Sequence, residues 1–350
     1  MCGVDGQSQT KFFFRYCGNA DKAFMIISCS RRTDIPAFYS DWFFNRLDEG
    51  FAGVRNPVNP RQVRRISLAP ADVECFVFWT KNPAPMMDRL ERLQRFNFYF
   101  QFTLTPYGVD IEPNLPPKSQ ILDEFRNLSD RIGKKRIIWR YDPIIFSQEM
   151  TFEYHVEQFA CLAGRLAGYT EKCVISFLDS YRHMQNKMSA LHIRMPDEAQ
   201  MRGLAKEISK IAAGHRMKVE TCAEQIDLSD LGVEHGKCID DRLISELTGI
   251  NLKLEKDKHQ RELCGCVTSV DIGEYNTCRH LCSYCYANVS VQKVERNRLL
   301  HDAQSPLLIG AARDINMMSR TDNQAGSPEN PSSGKHAKGD NHDQQKESRG

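Results

Sequence analysis

Seven short apolar runs, most of them followed by a helix-like stretch, constrain this chain more than any other feature. They are Phe24 to Cys29, Ala52 to Arg55, Cys75 to Trp79, Phe98 to Leu104, Arg136 to Arg140, Cys173 to Leu178 and Met217 to Cys222. Asp34 and Pro36 open a helix that runs to about Glu49, and a second proline introduces another over Ala84 to Arg95. Further helical stretches cover Lys118 to Ile132, Phe152 to Ala167 and Asp197 to Gly214. Continuous apolar strands alternating with helices belong to a parallel sheet with helices packed outside it.

A doubly wound sheet and a barrel both fit that alternation. The first strand ends without a glycine-rich phosphate loop, which argues against a dinucleotide fold. Polar residues gather instead at the ends of several strands: Ser30-Arg31-Arg32, Thr80-Lys81-Asn82, Thr103 with Thr105, Arg140-Tyr141-Asp142, Asp179 and Glu220 to Glu224. In a barrel those ends meet on one face, where such folds place their sites. The expectation is therefore α/β, a full or partial (β/α) TIM-like barrel over residues 24–250. Residues 251–303 read as a cysteine-rich segment packed on it, 1–23 as a loose extension, and the stretch from about 314 to 350 as a disordered tail without large apolar residues.

Thirteen cysteines are unusual for a chain of this kind. With 41% hydrophobic residues a core is within reach, and no export signal stands out, so metal binding explains the thiols better than a disulfide framework. A reducing cytoplasm is the expected compartment. A net charge of +2 gives no footing for nucleic acid or a membrane surface, and no apolar run is long enough to span a bilayer.

Cys278, Cys282 and Cys285 sit at C-x3-C-x2-C spacing, with Tyr284 before the last. Three thiolates in one short loop can converge on a single centre, and three ligands leave one iron of a [4Fe–4S] cube open. Cys278, Cys282, Tyr284 and Cys285 resemble the signature of radical S-adenosylmethionine (SAM) enzymes. The resemblance implies a site-differentiated [4Fe–4S] cluster that binds SAM, with Tyr284 against the adenine and a one-electron donor of the flavodoxin or ferredoxin type. Over roughly residues 25–300 the chain also resembles DUF1848, an uncharacterised bacterial family. Ser28 to Pro36, Cys264-Gly265-Cys266 and the late triplet carry that likeness. In the radical SAM superfamily the cysteine loop usually follows the first strand, whereas here it comes after the last. The segment is therefore expected to fold back over the strand ends and bring its cysteines near Ser30 to Arg32.

The rival reading is a zinc-stabilised binding module, with nucleic acid as its candidate partner and with His280 or Cys266 as a fourth ligand. Cys222, Cys238, Cys264 and Cys266 form a candidate second metal site, for zinc or a further Fe–S cluster, because four sulfurs close such a centre. Cys29, Cys75, Cys161 and Cys173 read as core, and Cys2 and Cys17 as unconnected with the cluster. Arg31 and Arg32 suit a carboxylate or phosphate, or an ion pair with Asp34 or Asp142. Arg140 with Asp142, and Glu224, complete the catalytic candidates. Asp227 serves equally as a turn residue, and Phe96, Phe98, Phe100 and Phe102 alternate as a packed strand does.

Overall fold

Apolar runs without polar interruption need cover on both faces, and here they receive it. The computed structural model describes residues 25–179, 184–252 and 254–310, so the extension over 1–23, the tail from 314, Cys2 and Cys17 lie outside the described residues. In chain order the strands are β1 (Met25–Cys29), β2 (Phe51–Arg55), β3 (Val63–Ser67), β4 (Val73–Thr80) and β5 (Phe98–Thr103). They continue with β6 (Ile137–Ile144), β7 (Lys172–Phe177), β8 (Lys218–Thr221), β9 (Val233–His235) and β10 (Val270–Asp271). The helices are α1 (Ile35–Phe38), α2 (Ser40–Glu49), α3 (Ala84–Met87), α4 (Lys118–Ile132) and α5 (Phe152–Leu166). After them come α6 (Gln185–Ala190), α7 (Glu198–Gly214), α8 (Asp241–Thr248) and α9 (Val291–Leu299).

Eight strands form one sheet in the order β10-β1-β4-β5-β6-β7-β8-β9, and every neighbouring pair is parallel. From β1 to β9 the order never reverses, so the sheet has no doubly wound switch point. Its two ends do not pair with each other, and the fully closed barrel is not formed among the described residues. The edges explain this: β10 has two residues and β9 three, too short for a closing ladder.

Ala52 to Arg55 is not a member of the main sheet. It lies in β2, which pairs antiparallel with β3. Exposed Arg64 and Arg65 hide the strand character of β3 from the sequence pattern. The helix expected over Ala84 to Arg95 breaks into α3 and a single 3-10 turn at Leu90–Leu93.

Strand side chains alternate between two cores. On the outer face Phe76, Phe78, Phe100, Phe102, Trp139 and Tyr141 are fully buried beneath the helices. Phe78 stacks on Phe100 at 4.8 Å and Trp139 on Phe159 of α5 at the same distance. The inner face carries Ile26, Cys75, Val77, Tyr99, Ile138 and Val174, covered by Ile239, Ile244, Leu252 and Val267. Residues 236–268, with α8 among them, thus fill what a closed barrel would enclose. Cys29, Cys75 and Cys173 are core residues, but Cys161 lies on the exposed side of α5.

The late segment joins the sheet through β10. Asp271 accepts hydrogen bonds from Ser28 Oγ (2.7 Å), Ser30 Oγ, the Arg31 amide (2.9 Å) and the Gly273 amide (3.0 Å). Gly273 permits this approach, since a Cβ there would lie 2.5 Å from the Ser30 Cβ. Beyond α9 the chain returns along α2, where Trp42 Nε1 donates to the Ser305 carbonyl at 2.9 Å. No described helix is long and apolar enough to cross a membrane.

Candidate functional site

Once β10 is fixed beside β1, residues 277–288 have little choice of position. Tyr39 Oη donates to the Thr277 carbonyl (2.7 Å), and Asn114 Nδ2 to that of Arg279 (2.8 Å). The Ser283 amide donates to the Ile111 carbonyl (2.8 Å), and Tyr286 Oη to that of Arg31 (2.9 Å). Asn288 Nδ2 closes the loop on the Cys278 carbonyl at 2.7 Å. Leu281 takes a left-handed conformation (φ 56°), an uncommon one for leucine, directly before Cys282.

Cys278, Cys282 and Cys285 consequently open into one cavity of about 130 Å³ at the carboxyl ends of β1, β4 and β5. Arg31, Arg32, Thr33, Trp79, Lys81 and Tyr284 also line it. Burial pushes the Cys278 thiol far up and the Cys282 thiol up to about 12, with Lys81 partly offsetting the rise at Cys282. These sulfurs stay protonated unless a cation replaces the proton. Thr33 Oγ1 and His280 Nδ1, both on residues lining the cavity, are buried without a hydrogen-bond partner. Three thiols beside unpaired polar atoms fit a polar, thiophilic occupant such as an iron–sulfur cube.

His280 is held away from a ligand role on its other nitrogen: Nε2 lies 2.9 Å from Asp34 Oδ2. Asp34 also caps α1 through the Ala37 amide (2.9 Å) and accepts from the Lys81 amide (2.7 Å). It is therefore not paired with Arg31 or Arg32. Arg31 lies 5.5 Å from the Trp79 ring centroid and reaches Ser269 Oγ at 3.4 Å. Arg32 reaches the Gly273 carbonyl at 3.4 Å.

Glu112 had no signal in the sequence, yet it organises one wall. Its carboxylate takes Lys81 (2.7 Å), Lys118, Thr105 Oγ1 (2.9 Å) and Tyr284 Oη. Burial works against its charge, but the two lysines prevail and hold its carboxyl down to about 2. Tyr284 is thereby pinned by its hydroxyl, its ring 6.1 Å from that of Tyr107. Asp271, like Glu112, carries no sequence signal: each is an isolated acid with partners distant in sequence.

The other candidates stand apart from this cavity. Arg140 donates through Nε to Asp142 (2.9 Å) and through Nη1 to Cys238 Sγ (2.9 Å). Cys222 and Cys238 have their sulfurs 3.3 Å apart, and the Cys266 thiol meets those of Cys238 and Cys264. Glu224 lines a separate cleft of about 920 Å³ with Asp179, Arg202 and Asp227. Burial raises its carboxyl to about 7, although the Phe177 amide donates to it at 2.8 Å. Asp227 accepts from the Ser229 amide as a turn residue does. Among the described residues no group of three or more His, Cys, Asp or Glu side chains stands, as placed, where it could hold a metal ion.

No curated protein matches the sequence. A family model described as "Domain of unknown function (DUF1848)" does match, over residues 26–287, which takes in the sheet, the residues that fill its inner face and the cysteine loop. The chain belongs to the DUF1848 family.

Proposed function

We propose that this chain is a radical SAM-type iron–sulfur enzyme built on a partial (β/α) barrel, with its substrate bound at the strand ends. One observation carries the reading: Cys278, Cys282 and Cys285 face a single cavity at the carboxyl ends of β1, β4 and β5. The unreversed strand order supports the partial barrel. A [4Fe–4S] cluster held there would supply reductive cleavage of SAM to methionine and a 5′-deoxyadenosyl radical, given a flavodoxin- or ferredoxin-type electron donor.

The residues divide the remaining work. Cys278, Cys282 and Cys285 provide three thiolates and leave a fourth position open. Lys81 favours the thiolate at Cys282, and through Glu112 it also fixes Tyr284. The Asp34–His280 contact keeps the imidazole Nε2 from filling the open position. A volume of about 130 Å³ suits a cluster-sized group. It is smaller than the roughly 300 Å³ at which small-molecule pockets begin, so a nucleoside must extend beyond it.

Anaerobic reconstitution with iron and sulfide tests the proposal. Brown cluster absorbance and 5′-deoxyadenosine formed from SAM and dithionite are expected, and Cys282→Ala should abolish both. The loss should exceed the roughly 100-fold that removing a partner of a ligand costs. Colourless protein, inert to SAM after reconstitution, overturns the assignment. The zinc-module alternative puts zinc on the same three thiols and needs a fourth ligand, while His280 Nε2 is held by Asp34; protein that takes up zinc in place of iron would favour it.

A further inference from the structure

A second group of thiols lies deeper in the molecule. Cys222 follows β8, Cys238 lies between β9 and α8, and Cys264 and Cys266 come from the irregular stretch before β10. Folding brings three separated segments to one place on the inner face of the sheet. There Cys238, Cys264 and Cys266 pack with Ile26, Val77 and Tyr99. We propose that Cys222, Cys238, Cys264 and Cys266 bind a single thiophilic divalent ion of the zinc class, which cross-links residues 236–268 to the sheet.

Spacing favours one ion over a cube. Zn–S bonds of about 2.3 Å at tetrahedral angles set sulfurs about 3.8 Å apart. Cys222 and Cys238 sulfurs stand 3.3 Å apart, and Cys266 continues the contact to Cys264. A cube holds each thiolate off a separate corner and would require the group to spread. The four thiols now run as a chain of contacts, so the ion would draw its two ends inward.

The surroundings suit a dianionic tetrathiolate. Arg140 donates to Cys238 Sγ at 2.9 Å while also holding Asp142. The Ile239 amide donates to Cys266 Sγ at 3.3 Å, the kind of outer contact that orients a metal ligand. Tyr99 Oη and Gln101 Nε2 bind the Cys238 carbonyl at 2.6 and 2.9 Å, so the backbone of one ligand is fixed before any ion arrives.

The stretch has reason to need a cross-link. Apart from α8, the described residues of 236–268 hold one isolated bridge, Lys256 with Val267, and otherwise follow irregular paths. Metal binding supplies folding free energy to segments of this kind. The inference is independent of the SAM reading, because it shares no cysteine with the three-thiol cavity.

The full chain carrying Cys278→Ala, Cys282→Ala and Cys285→Ala isolates the second group. Titrated anaerobically with cobalt(II) alone, it should bind one equivalent, with sulfur-to-cobalt charge-transfer absorbance and tetrahedral visible bands, and zinc should displace the cobalt. Adding Cys238→Ser should weaken binding at least 100-fold. If that variant fails to fold, adding Cys264→Ser instead should lower the charge-transfer absorbance by about one thiolate's share in four. No cobalt or zinc bound overturns the proposal. So does uptake of several irons with sulfide, which would make the centre a cluster.

Discussion

Cys278, Cys282 and Cys285 come from one loop and open into a cavity, whereas Cys222, Cys238, Cys264 and Cys266 converge from three segments and lie within packed side chains. The loop has its cysteines in place by local spacing and needs the sheet mainly as a wall. The deeper group does not exist until β8 and the stretch before β10 have met. If both centres form as proposed, an open one and a closed one ask different things of the fold: the first needs room at one position, the second needs every side occupied. Even the glycines divide this way. Gly273 lets β10 approach β1, while a Cβ at Gly236 would lie 2.8 Å from the Glu220 Cβ beside β8.

The comparison can be broken most forcefully at Glu112. Glu112→Gln leaves Lys81 and Lys118 without their carboxylate, and removing one partner from a buried ionic group costs about 3–5 kcal/mol. Denaturant unfolding should show that loss, and 5′-deoxyadenosine formation should fall with it. Metal bound by the deeper group should be retained in whatever fraction stays folded.

The glycines give a crossed test of smaller size. Gly273→Ala and Gly236→Ala should each cost about 1–3 kcal/mol by overpacking. The first should impair cluster retention and spare cobalt binding by the deeper group, and the second should do the reverse. Equal damage to both centres from either change would show that they are one cooperative unit.

Acid should distinguish the two sides less sharply. His155 is fully buried between Tyr141 Oη (2.9 Å) and the Ile145 carbonyl (2.8 Å), in the region that also packs Tyr107 and Tyr284. Burial holds its imidazole down to about 4 from an ordinary 6.5, against the pull of the Ile145 carbonyl. As pH falls the unfolded chain takes up the proton first. The contribution is therefore complete above about 6.5 and lost as pH falls through about 4. Unfolding free energy should drop by about 1–3 kcal/mol over that window, and His155→Gln should flatten the slope. The smallest effect belongs to Cys161→Ser. That thiol is exposed on α5, so stability should move by no more than about 0.5 kcal/mol and metal content not at all.

Much of the scaffold was legible because burial leaves a periodic trace. The apolar runs that became β1, β4, β5, β6, β7 and β8 could be read directly, as could α4, α5 and α7. β2 could also be read as a strand, but its partner β3 could not, because paired arginines on an exposed face look like a loop. Nor could β9, β10 and α8, which are short and take their stability from what they pack against. The cysteine triplet could be picked out because its members are neighbours in sequence. Asp271, Glu112 and the Asp34–His280 contact could not, since each depends on a partner brought close by the completed sheet.

The bonds from Ser28 to Asp271 join residues 243 positions apart. Synthesis at roughly 5–20 residues per second puts about 10–50 s between the emergence of the two. Throughout that interval one edge of the growing sheet is bare, an invitation to the wrong neighbour. Loading of the proposed cluster would then be one of the last events in the life of a nascent molecule, after that edge is covered.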